Sequence, residues 1–296
     1  MAEARIAIIG GSGFYDIEGL KDRREARVET PFGDPSDAVT LGVLGDTPVA
    51  FLPRHGRGHR LLPSEVPAPA NIYALKTLGV ERIISVNAVG SLRDDIAPRD
   101  IVVPNQLIDR TVGRTSTFFG AGLVALVSMG DPFCPELSGI VLQAARQTDA
   151  KAHAGGTVIV MEGPAFSTKA ESSLYRAWGA DLINMTMLPE AKLAREAGIC
   201  YAAVACVTDY DVWHEEHAEV TAQMILDNLL SSLVNARRAV ALAIDSVPSE
   251  RGCQCAFALG DAIVTSLALV PPETLQKLGP IIADYVAHTE AGDGGS

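Results

Sequence analysis

Short apolar runs alternate with helical segments along most of the chain, and this alternation constrains the fold more than any other feature. The runs have the length of buried strands and fall at residues 5–9, 48–52, 82–86, 101–104, 106–108, 157–161, 182–183 and 201–207. Periodicity predicts helices at residues 71–78, 135–147, 170–178, 189–197 and 220–244. Repeated strand–helix order is typical of an α/β fold, so we predict a mixed, mostly parallel central sheet flanked by helices.

The size and charge of the chain limit its domain organisation and its partners. The chain has 296 residues, 48% of them hydrophobic, which suits a single domain over residues 1–290 followed by a disordered tail over residues 291–296. Acidic residues outnumber basic ones by 36 to 24, and the net charge of −12 disfavours a nucleic-acid partner. No apolar run is long enough to span a membrane and no signal-peptide pattern is present. The sequence therefore predicts a cytoplasmic protein without a membrane partner.

The cysteines give no spacing that is typical of a metal site. The chain has five of them, an odd number that argues against a secreted disulfide framework. No C-x-x-C pair occurs, so the spacing does not support a zinc site. Cys253 and Cys255 are separated by one residue, and two interpretations of this pair stay open: two buried or idle thiols, or a redox-linked disulfide.

A glycine-rich turn directly follows the first predicted strand, in the order Gly10-Gly11-Ser12-Gly13. Small residues allow backbone amides to approach an anion, and Ser12 adds a hydroxyl donor. The spacing is neither that of a G-x-G-x-x-G dinucleotide site nor that of a P-loop. The turn is therefore either part of an anion site or a plain tight turn.

Polar residues follow three further predicted strands, and together they predict an anion site. Arg54 and His55 offer a forked guanidinium and a ring N–H, Asn87 and Ala88 offer a side-chain amide and a backbone N–H, and Thr186 offers a hydroxyl. For Arg54 and His55 the alternative interpretation is an exposed, solvated pair at the end of a strand. In parallel sheets such tips meet at the carboxyl edge. A site with one permanent cation suits a phosphate ion better than a nucleoside triphosphate.

Two aspartates, Asp209 and Asp211, end the apolar run at residues 201–207. One interpretation is a turn or helix cap, for which aspartate is well suited. The other is a carboxylate pair in which burial raises one pKa. A carboxyl that holds its proton can donate a hydrogen bond to N7 of a purine, while the other accepts one from an exocyclic amino group.

These motifs, taken in order, resemble the trimeric purine nucleoside phosphorylase superfamily, and most closely its branch that acts on 5′-methylthioadenosine. The resemblance covers residues from about 5 to about 244. The motifs that carry it are Ile8-Ile9-Gly10-Gly11-Ser12-Gly13, Thr30-Pro31-Phe32-Gly33 with Pro35-Ser36-Asp37, Arg54-His55-Gly56-Arg57, Asn87-Ala88-Val89-Gly90-Ser91-Leu92, Ile108-Asp109-Arg110-Thr111, Asp131-Pro132-Phe133-Cys134-Pro135, Glu162-Gly163-Pro164, Trp178-Gly179-Ala180-Asp181, Asn184-Met185-Thr186 and Thr208-Asp209-Tyr210-Asp211-Val212-Trp213.

The resemblance implies that the chain is a pentosyltransferase that converts 5′-methylthioadenosine and phosphate into adenine and 5-methylthioribose 1-phosphate. The phosphate-binding residues it implies are Ser12, Arg54, His55, Asn87, Ala88 and Thr186. The nucleoside-binding residues it implies are Pro63, Phe166, Asn184, Met185, Thr208, Ala222, Ile225 and Leu226. Asp209 and Asp211 would act on the purine. For the segment 222–226, ordinary core packing is an equally good explanation of the spacing.

The family further implies no cofactor and no metal, with inorganic phosphate as a co-substrate, and a homotrimer or a homohexamer. Two alternatives stay open. One is a phosphorylase of the same fold that prefers methylthioinosine, inosine or guanosine, against which the paired aspartates argue. The other is a nucleoside-binding protein without catalysis. Two departures bear on these alternatives: Ala165 stands where relatives have Arg, and Leu126 where relatives often have a His that reaches a neighbouring subunit.

Overall fold

The computed structural model describes residues 2–11, 19–214 and 221–287. Ser12, the predicted tail and the predicted domain boundary at residue 290 lie outside these ranges. The strands are β1 (Ile6–Gly10), β2 (Lys21–Ala26), β3 (Val39–Leu44), β4 (Thr47–Pro53), β5 (Arg82–Ser91), β6 (Ile101–Val103), β7 (Gln106–Arg110), β8 (Ala152–Ala154), β9 (Thr157–Met161), β10 (Leu182–Asn184) and β11 (Cys200–Asp209). The helices are α1 (Ala68–Thr77), α2 (Pro135–Ala145), α3 (Lys169–Ala177), α4 (Met187–Glu196), α5 (Ala222–Ser246) and α6 (Pro272–Leu278).

The strands form one mixed sheet, which confirms the predicted fold class. One path through the sheet has the order β2-β3-β4-β1-β5-β10-β9-β7. A second branch leaves β5: β11 pairs with β5 and with β6, and β6 pairs with β8. The strands at the centre, β4, β1, β5 and β11, all run parallel. Antiparallel pairing is found between β2 and β3, β3 and β4, β5 and β10, and β6 and β11.

The parallel centre brings the predicted strand tips to one edge, as expected for this kind of sheet. Gly10 at the end of β1 pairs with Pro53 at the end of β4, so Arg54 follows at the same level. Asn87 in β5 pairs with Ala205 in β11, and Asp209 pairs with Gly90 after a register shift. The strand tips that are predicted to bind an anion therefore lie side by side with the aspartates.

Helices cover both faces of the sheet. On one face, α2 and α5 pack against β11 around a buried cluster that includes Ile84, Val204 and Val240. On the other face, α1 packs against α4 in a cluster that includes Ile72 and Leu193. Among the helices in the part of the chain that the structure describes, none has both the length and the apolar character needed to span a bilayer.

Some elements could not be found from periodicity. Strand β2 has the sequence Lys-Asp-Arg-Arg-Glu-Ala and lies exposed at the edge of the sheet, so it has no apolar alternation. Strand β8 has three residues, too few to show a period. Strand β5 continues to Ser91, beyond the predicted end at residue 86, because its end turns to pair with β10.

Candidate active site

A cavity of about 480 Å³ opens at the carboxyl edge of the central strands. This volume falls in the range of small-molecule sites. The residues predicted from the sequence that line it are Arg54, His55, Pro63, Asn87, Ala88, Phe166, Asn184, Met185, Thr186, Thr208, Asp209, Asp211, Ala222, Ile225 and Leu226. Within the described part of the chain, the structure thus gathers every predicted site residue into one cavity, and only Ser12 falls outside those ranges.

Arg54 is held rigidly in the wall of the cavity and is 2% exposed. Its backbone N–H donates to Gly10 O (2.9 Å), which ties the tip of β4 to that of β1. Its guanidinium donates to both carboxylate oxygens of Glu190, through Nε to Oε2 (2.9 Å) and Nη2 to Oε1 (3.1 Å). Nη1 donates to Val86 O (3.1 Å). The one permanent cation of the predicted anion site is therefore matched by a buried carboxylate.

Glu190 lies on α4 and was not singled out from the sequence. Its Oε1 also accepts hydrogen bonds from Ser85 Oγ (2.7 Å) and from the Tyr201 hydroxyl (2.7 Å). These bonds satisfy a charge that burial alone would strongly disfavour. In the sequence Glu190 is only an acid in the first turn of the helix that directly follows Thr186. Its partner Arg54 is 136 residues away, so local pattern gives no sign of the pairing.

His55 is a buried neutral ring at ordinary pH. Burial, reinforced by the charge of Arg54, lowers the pKa of His55 to about 4. Nδ1 lies 2.9 Å from Leu61 O, and a carbonyl oxygen can only accept, so Nδ1 carries the ring proton. Nε2 of the neutral ring is then an acceptor, which differs from the expectation that His55 supplies an N–H to phosphate.

Asn87, Asn184 and Thr186 form a linked polar group. With its amide oriented to satisfy its neighbours, Asn87 donates to Ser85 Oγ (2.9 Å) and accepts from Thr186 Oγ1 (3.1 Å). Asn184 Oδ1 accepts from the backbone N–H of Thr186 (2.7 Å), and Asn184 Nδ2 donates to Ala88 O (2.9 Å). Although Asn184 lines the cavity, its side chain is engaged in holding the tips of β5 and β10 together.

Asp209 is buried at the last position of β11. Its Oδ2 accepts from Thr208 Oγ1 (2.6 Å) and its Oδ1 from the backbone N–H of Asp211 (2.8 Å). Burial raises the pKa of Asp209. A Cβ on Gly90 would lie 2.9 Å from Asp209 Oδ1, so only glycine leaves room for this carboxylate on the neighbouring strand.

Asp211 is buried two residues further on, with a φ of 52°. This left-handed conformation suits aspartate better than most residues. Among the residues that the structure describes, Asp211 Oδ2 makes no hydrogen bond of normal geometry. Burial raises the pKa of this carboxyl, and the nearby Ser172 and Ser167 hydroxyls oppose that effect without cancelling it. A buried oxygen without a partner is costly, which is typical of a group that a ligand completes.

The opposite side of the cavity is apolar. Phe166 is 42% exposed and Leu226 is 38% exposed, so both lie at its mouth. Ala222 and Ile225 lie on the same first turns of α5, which Asn228 Nδ2 ties to the end of β11 by donating to Thr208 O (2.7 Å). Helix α5 therefore contributes its N-terminal half to the cavity, while Ala236, Val240 and Ile244 further along it pack in the core.

The sequence did not identify all of the lining residues. Those that it missed are Gly11, His59, Val86, Val89, Gly90, Met161, Ile183, Leu229 and Leu233. His59 stacks on His55 with ring centroids 4.3 Å apart. A Cβ on Gly11 would lie 4.0 Å from Arg54 Nη1, so this glycine forms the floor of the polar side.

Arg114 binds the segment in which relatives of this sequence place an additional arginine. Its Nε donates to Glu162 Oε2 (3.1 Å), and its Nη1 donates to the carbonyl oxygens of Met185 (2.7 Å) and Leu188 (2.9 Å). Its Nη2 donates to Glu162 O. Ala165 is exposed, so the loop near Phe166 is held by Arg114 rather than by a basic residue of its own.

Comparison with known proteins agrees with this geometry. The model of the phosphorylase superfamily matches residues 5–245. The chain belongs to this superfamily. It is 53% identical over 290 residues to S-methyl-5′-thioadenosine phosphorylase of Koribacter versatilis, covering 98% of this chain and 99% of that protein. It is also 53% identical over 285 residues to the protein of the same name from Geobacter sulfurreducens, covering 96% of this chain and all of that protein.

Solved structures of superfamily members share the fold. A methylthioadenosine phosphorylase from an Antarctic soil metagenomic library superposes with a TM-score of 0.90 at 49% identity, over 95% of this chain and 99% of that one. The Schistosoma mansoni methylthioadenosine phosphorylase in complex with adenine superposes with a TM-score of 0.77 at 40% identity, over 84% of this chain and 93% of that one. Together with the sequence matches, these structures place the chain in the methylthioadenosine phosphorylase branch.

Proposed function

We propose that the chain catalyses the phosphorolysis of 5′-methylthioadenosine, giving adenine and 5-methylthioribose 1-phosphate. The observation that supports this proposal is one cavity with polar donors at the tips of β4 and β5, a buried carboxyl pair at the end of β11, and an apolar mouth. The relatives named for this activity are 53% identical over nearly the full length of both chains.

The polar side holds inorganic phosphate against the ribose. Arg54, Ala88 N–H and Thr186 donate to phosphate oxygens and Asn87 supports them, while the family resemblance adds Ser12, which lies outside the described residues. His55 Nε2 accepts from the hydroxyl of a protonated phosphate oxygen. As a phosphate oxygen attacks C1′, the bond from C1′ to N9 breaks and positive charge develops on the ribose. Phosphate held rigidly beside that carbon stabilises the charge without reorganisation.

The carboxyl pair acts on the departing base. The electron pair of the broken bond moves into the purine, which becomes more basic at N7. Asp209 holds a proton more readily than an ordinary carboxyl and donates it there. Asp211 accepts from the exocyclic amino group through its unpartnered Oδ2. A 6-oxo group at that position would instead face a carboxylate oxygen, so the pair favours adenine.

The apolar mouth takes the 5′-methylthio group. Ala222, Ile225 and Leu226 offer no hydrogen-bond donor to a 5′-hydroxyl. Pro63, Phe166 and Met185 close the remaining sides, while Asn184 and Thr208 position the strand tips. The reaction needs no metal ion or organic cofactor at this cavity, because charge stabilisation and proton transfer are both available from the side chains.

Relative rates of base release test the proposal. Initial rates are measured for methylthioadenosine, methylthioinosine and inosine at saturating phosphate, and for methylthioadenosine without phosphate. We expect methylthioadenosine to react fastest and the reaction to require phosphate. Faster reaction of methylthioinosine would assign the other specificity, cleavage without phosphate would indicate a hydrolase, and binding without turnover would indicate a binding protein.

We also propose that the chain forms a homotrimer, or a homohexamer built from two trimers, in the cytoplasm. Exposed apolar side chains support an assembly: Leu126 is 73% exposed, and Val124 and Val264 lie exposed near it. Leu126 does not line the cavity of its own chain, so a role in a neighbouring site requires such an assembly. Light scattering of the purified protein measures the mass, and a monomer would contradict the proposal.

A further inference from the structure

Four cysteines from three separate segments meet at one point far from the cavity. They are Cys134, Cys200, Cys253 and Cys255, and their four sulfur atoms all lie within 4.8 Å of one another. Three of them are buried and Cys253 is half-buried. We call this group the four-cysteine cluster. Its members are distant in sequence except for the last pair, so spacing along the chain could not reveal it.

The cluster lies at the opposite end of β11 from the carboxyl pair. Cys200 is the first residue of this strand and Asp209 the last. At about 3.3 Å per residue, a strand of this length separates the two groups by roughly 30 Å. The cluster therefore belongs to the amino edge of the sheet and takes no part in binding the nucleoside or phosphate.

The spacing of the sulfur atoms suits a single central ion. Zinc–sulfur bonds of about 2.3 Å in a tetrahedron place neighbouring sulfurs roughly 3.8 Å apart. The Sγ atoms of Cys200 and Cys253 are 3.3 Å apart, and none of the six separations exceeds 4.8 Å. Two disulfides would need two separate close pairs, whereas here each sulfur lies near all three others.

The surroundings of the cluster supply the donors that thiolate ligands require. Cys134 is the N-cap of α2, and its sulfur accepts from the backbone N–H of Leu137 (3.5 Å). Arg195 Nη1 donates to Cys255 Sγ (3.9 Å). Donors of this kind orient metal ligands and offset the negative charge of a tetrathiolate site.

We propose that the four-cysteine cluster is a structural site for Zn²⁺, in which four thiolates complete the coordination of the ion. Each thiol gives up its proton to solvent as its bond to the metal forms. No position is left open for water, so the site stabilises the fold and does not catalyse a reaction. This proposal differs from the expectation of no metal, which was based on cysteine spacing along the chain and on the family resemblance.

The site fastens the segment after α5 to the core. The same three segments already contact one another around the cluster: Gly252 N donates to Glu136 Oε2 (2.8 Å), and Arg251 Nη1 donates to Gly198 O (2.7 Å). The backbone of Ala256 packs closely against Gly198. A shared ion joins the beginnings of α2 and β11 to this segment more firmly than these few hydrogen bonds do.

Metal content and a cobalt spectrum test the proposal. The full-length protein is purified under reducing conditions, incubated with Zn²⁺ and dialysed. Its zinc content is then measured by elemental mass spectrometry. We expect about one zinc ion per chain, as for a closed four-ligand site. Replacing zinc by Co²⁺ is expected to give the sulfur-to-cobalt charge-transfer bands of a tetrahedral tetrathiolate. Absence of bound metal after this treatment, or an intact mass that shows disulfides under the same reducing conditions, overturns the proposal.

Two variants separate the cluster from a general effect of cysteine removal. Cys253→Ser changes a half-buried ligand and is expected to bind zinc weakly and to lose the sulfur-to-cobalt bands. Cys206→Ala is the matched control, because Cys206 is buried in the same strand as Cys200 but is not in the cluster. It is expected to keep the full zinc content. Equal zinc loss in both variants, or none in Cys253→Ser, contradicts the assignment.

Discussion

The two sides of the cavity are built in opposite ways. On the side proposed to bind phosphate, the charge of Arg54 is matched by Glu190, and Ser85 and Tyr201 donate to the carboxylate. On the side proposed to bind the purine, Asp209 and Asp211 are buried acids with raised pKa values, and one oxygen of Asp211 makes no hydrogen bond of normal geometry among the described residues. One side is complete before ligand binds, while the other is completed by the ligand.

This difference has a physical consequence for how each side works. A buried arginine that is paired with a carboxylate keeps its position, so in the proposed mechanism Arg54 orients the phosphate without moving. Burial without a compensating cation raises the pKa of both acids. In the proposed mechanism Asp209 therefore holds the proton that it donates to the leaving base, while Asp211 accepts from the amino group. In the proposed mechanism the first side positions phosphate and the second supplies the proton. The predictions below test this contrast.

Arg54→Ala should have the largest effect, because it disrupts both phosphate binding and the ion pair with Glu190. It removes the phosphate donor and leaves Glu190 as a buried unpaired charge. We expect kcat/KM for phosphate to fall by about 10²- to 10³-fold and the free energy of unfolding to fall by about 3–5 kcal/mol. Steady-state kinetics and urea unfolding measure the two effects.

The double variant Arg54→Ala with Glu190→Gln is the control for that experiment. It removes the unpaired charge, so it should recover part of the stability while the phosphate defect remains. Recovery of phosphate use in the double variant, or an unchanged phosphate KM in the single one, would remove Arg54 from the phosphate site.

His55 should make the stability of the completed side depend on pH. Its pKa is about 4 when folded and about 6.5 when unfolded. Between these values the unfolded state binds more protons, so the free energy of unfolding falls as pH decreases from 6.5 to 4. The full effect is up to about 3 kcal/mol. We expect His55→Gln to reduce this slope in urea unfolding measured across that range. An identical slope in the variant would contradict a neutral buried ring.

Asp211→Asn should change the choice of base on the side that ligand completes. An amide can donate to the 6-oxo group, so we expect the ratio of kcat/KM for methylthioadenosine to that for methylthioinosine to fall by about 10- to 100-fold. Competition between the two nucleosides measures this ratio. Unchanged selectivity would show that Asp211 does not contact the exocyclic group.

The same variant tests the cost of the incomplete side. The raised pKa of Asp211 means that the folded wild-type protein loses stability as pH rises from about 4 through that raised pKa. Asp211→Asn should therefore gain thermal stability relative to the ligand-free wild type above this range, but not below it. A lower melting temperature for the variant at neutral pH would contradict the view that ionisation of buried Asp211 destabilises the ligand-free protein.

Leu226→Ser should have the smallest effect, because it alters only the exposed mouth. A hydroxyl beside the 5′ position should reduce the preference for methylthioadenosine over adenosine by about 10-fold. Relative kcat/KM values measure this preference, and folding stability should not change. A preference that stays the same would place the 5′ group elsewhere in the cavity.

The sequence was sufficient for features that depend on local pattern and strand direction. Apolar runs identified the central strands, and parallel strands bring their carboxyl ends together, so Arg54 and Asp209 were expected to meet. Pairings between distant residues were not accessible. Glu190 is an ordinary helical acid until Arg54 reaches it, and the four-cysteine cluster forms only when three segments fold together.

A crystal structure with phosphate and a non-reactive methylthioadenosine analogue tests the central claim most directly. The claim is that one nucleoside spans both sides of this cavity. We expect phosphate within hydrogen-bond distance of the Arg54 guanidinium and of the Thr186 hydroxyl, with C1′ facing it and the purine N7 beside Asp209. A purine bound away from Asp209 and Asp211, or phosphate bound apart from Arg54, would contradict the account.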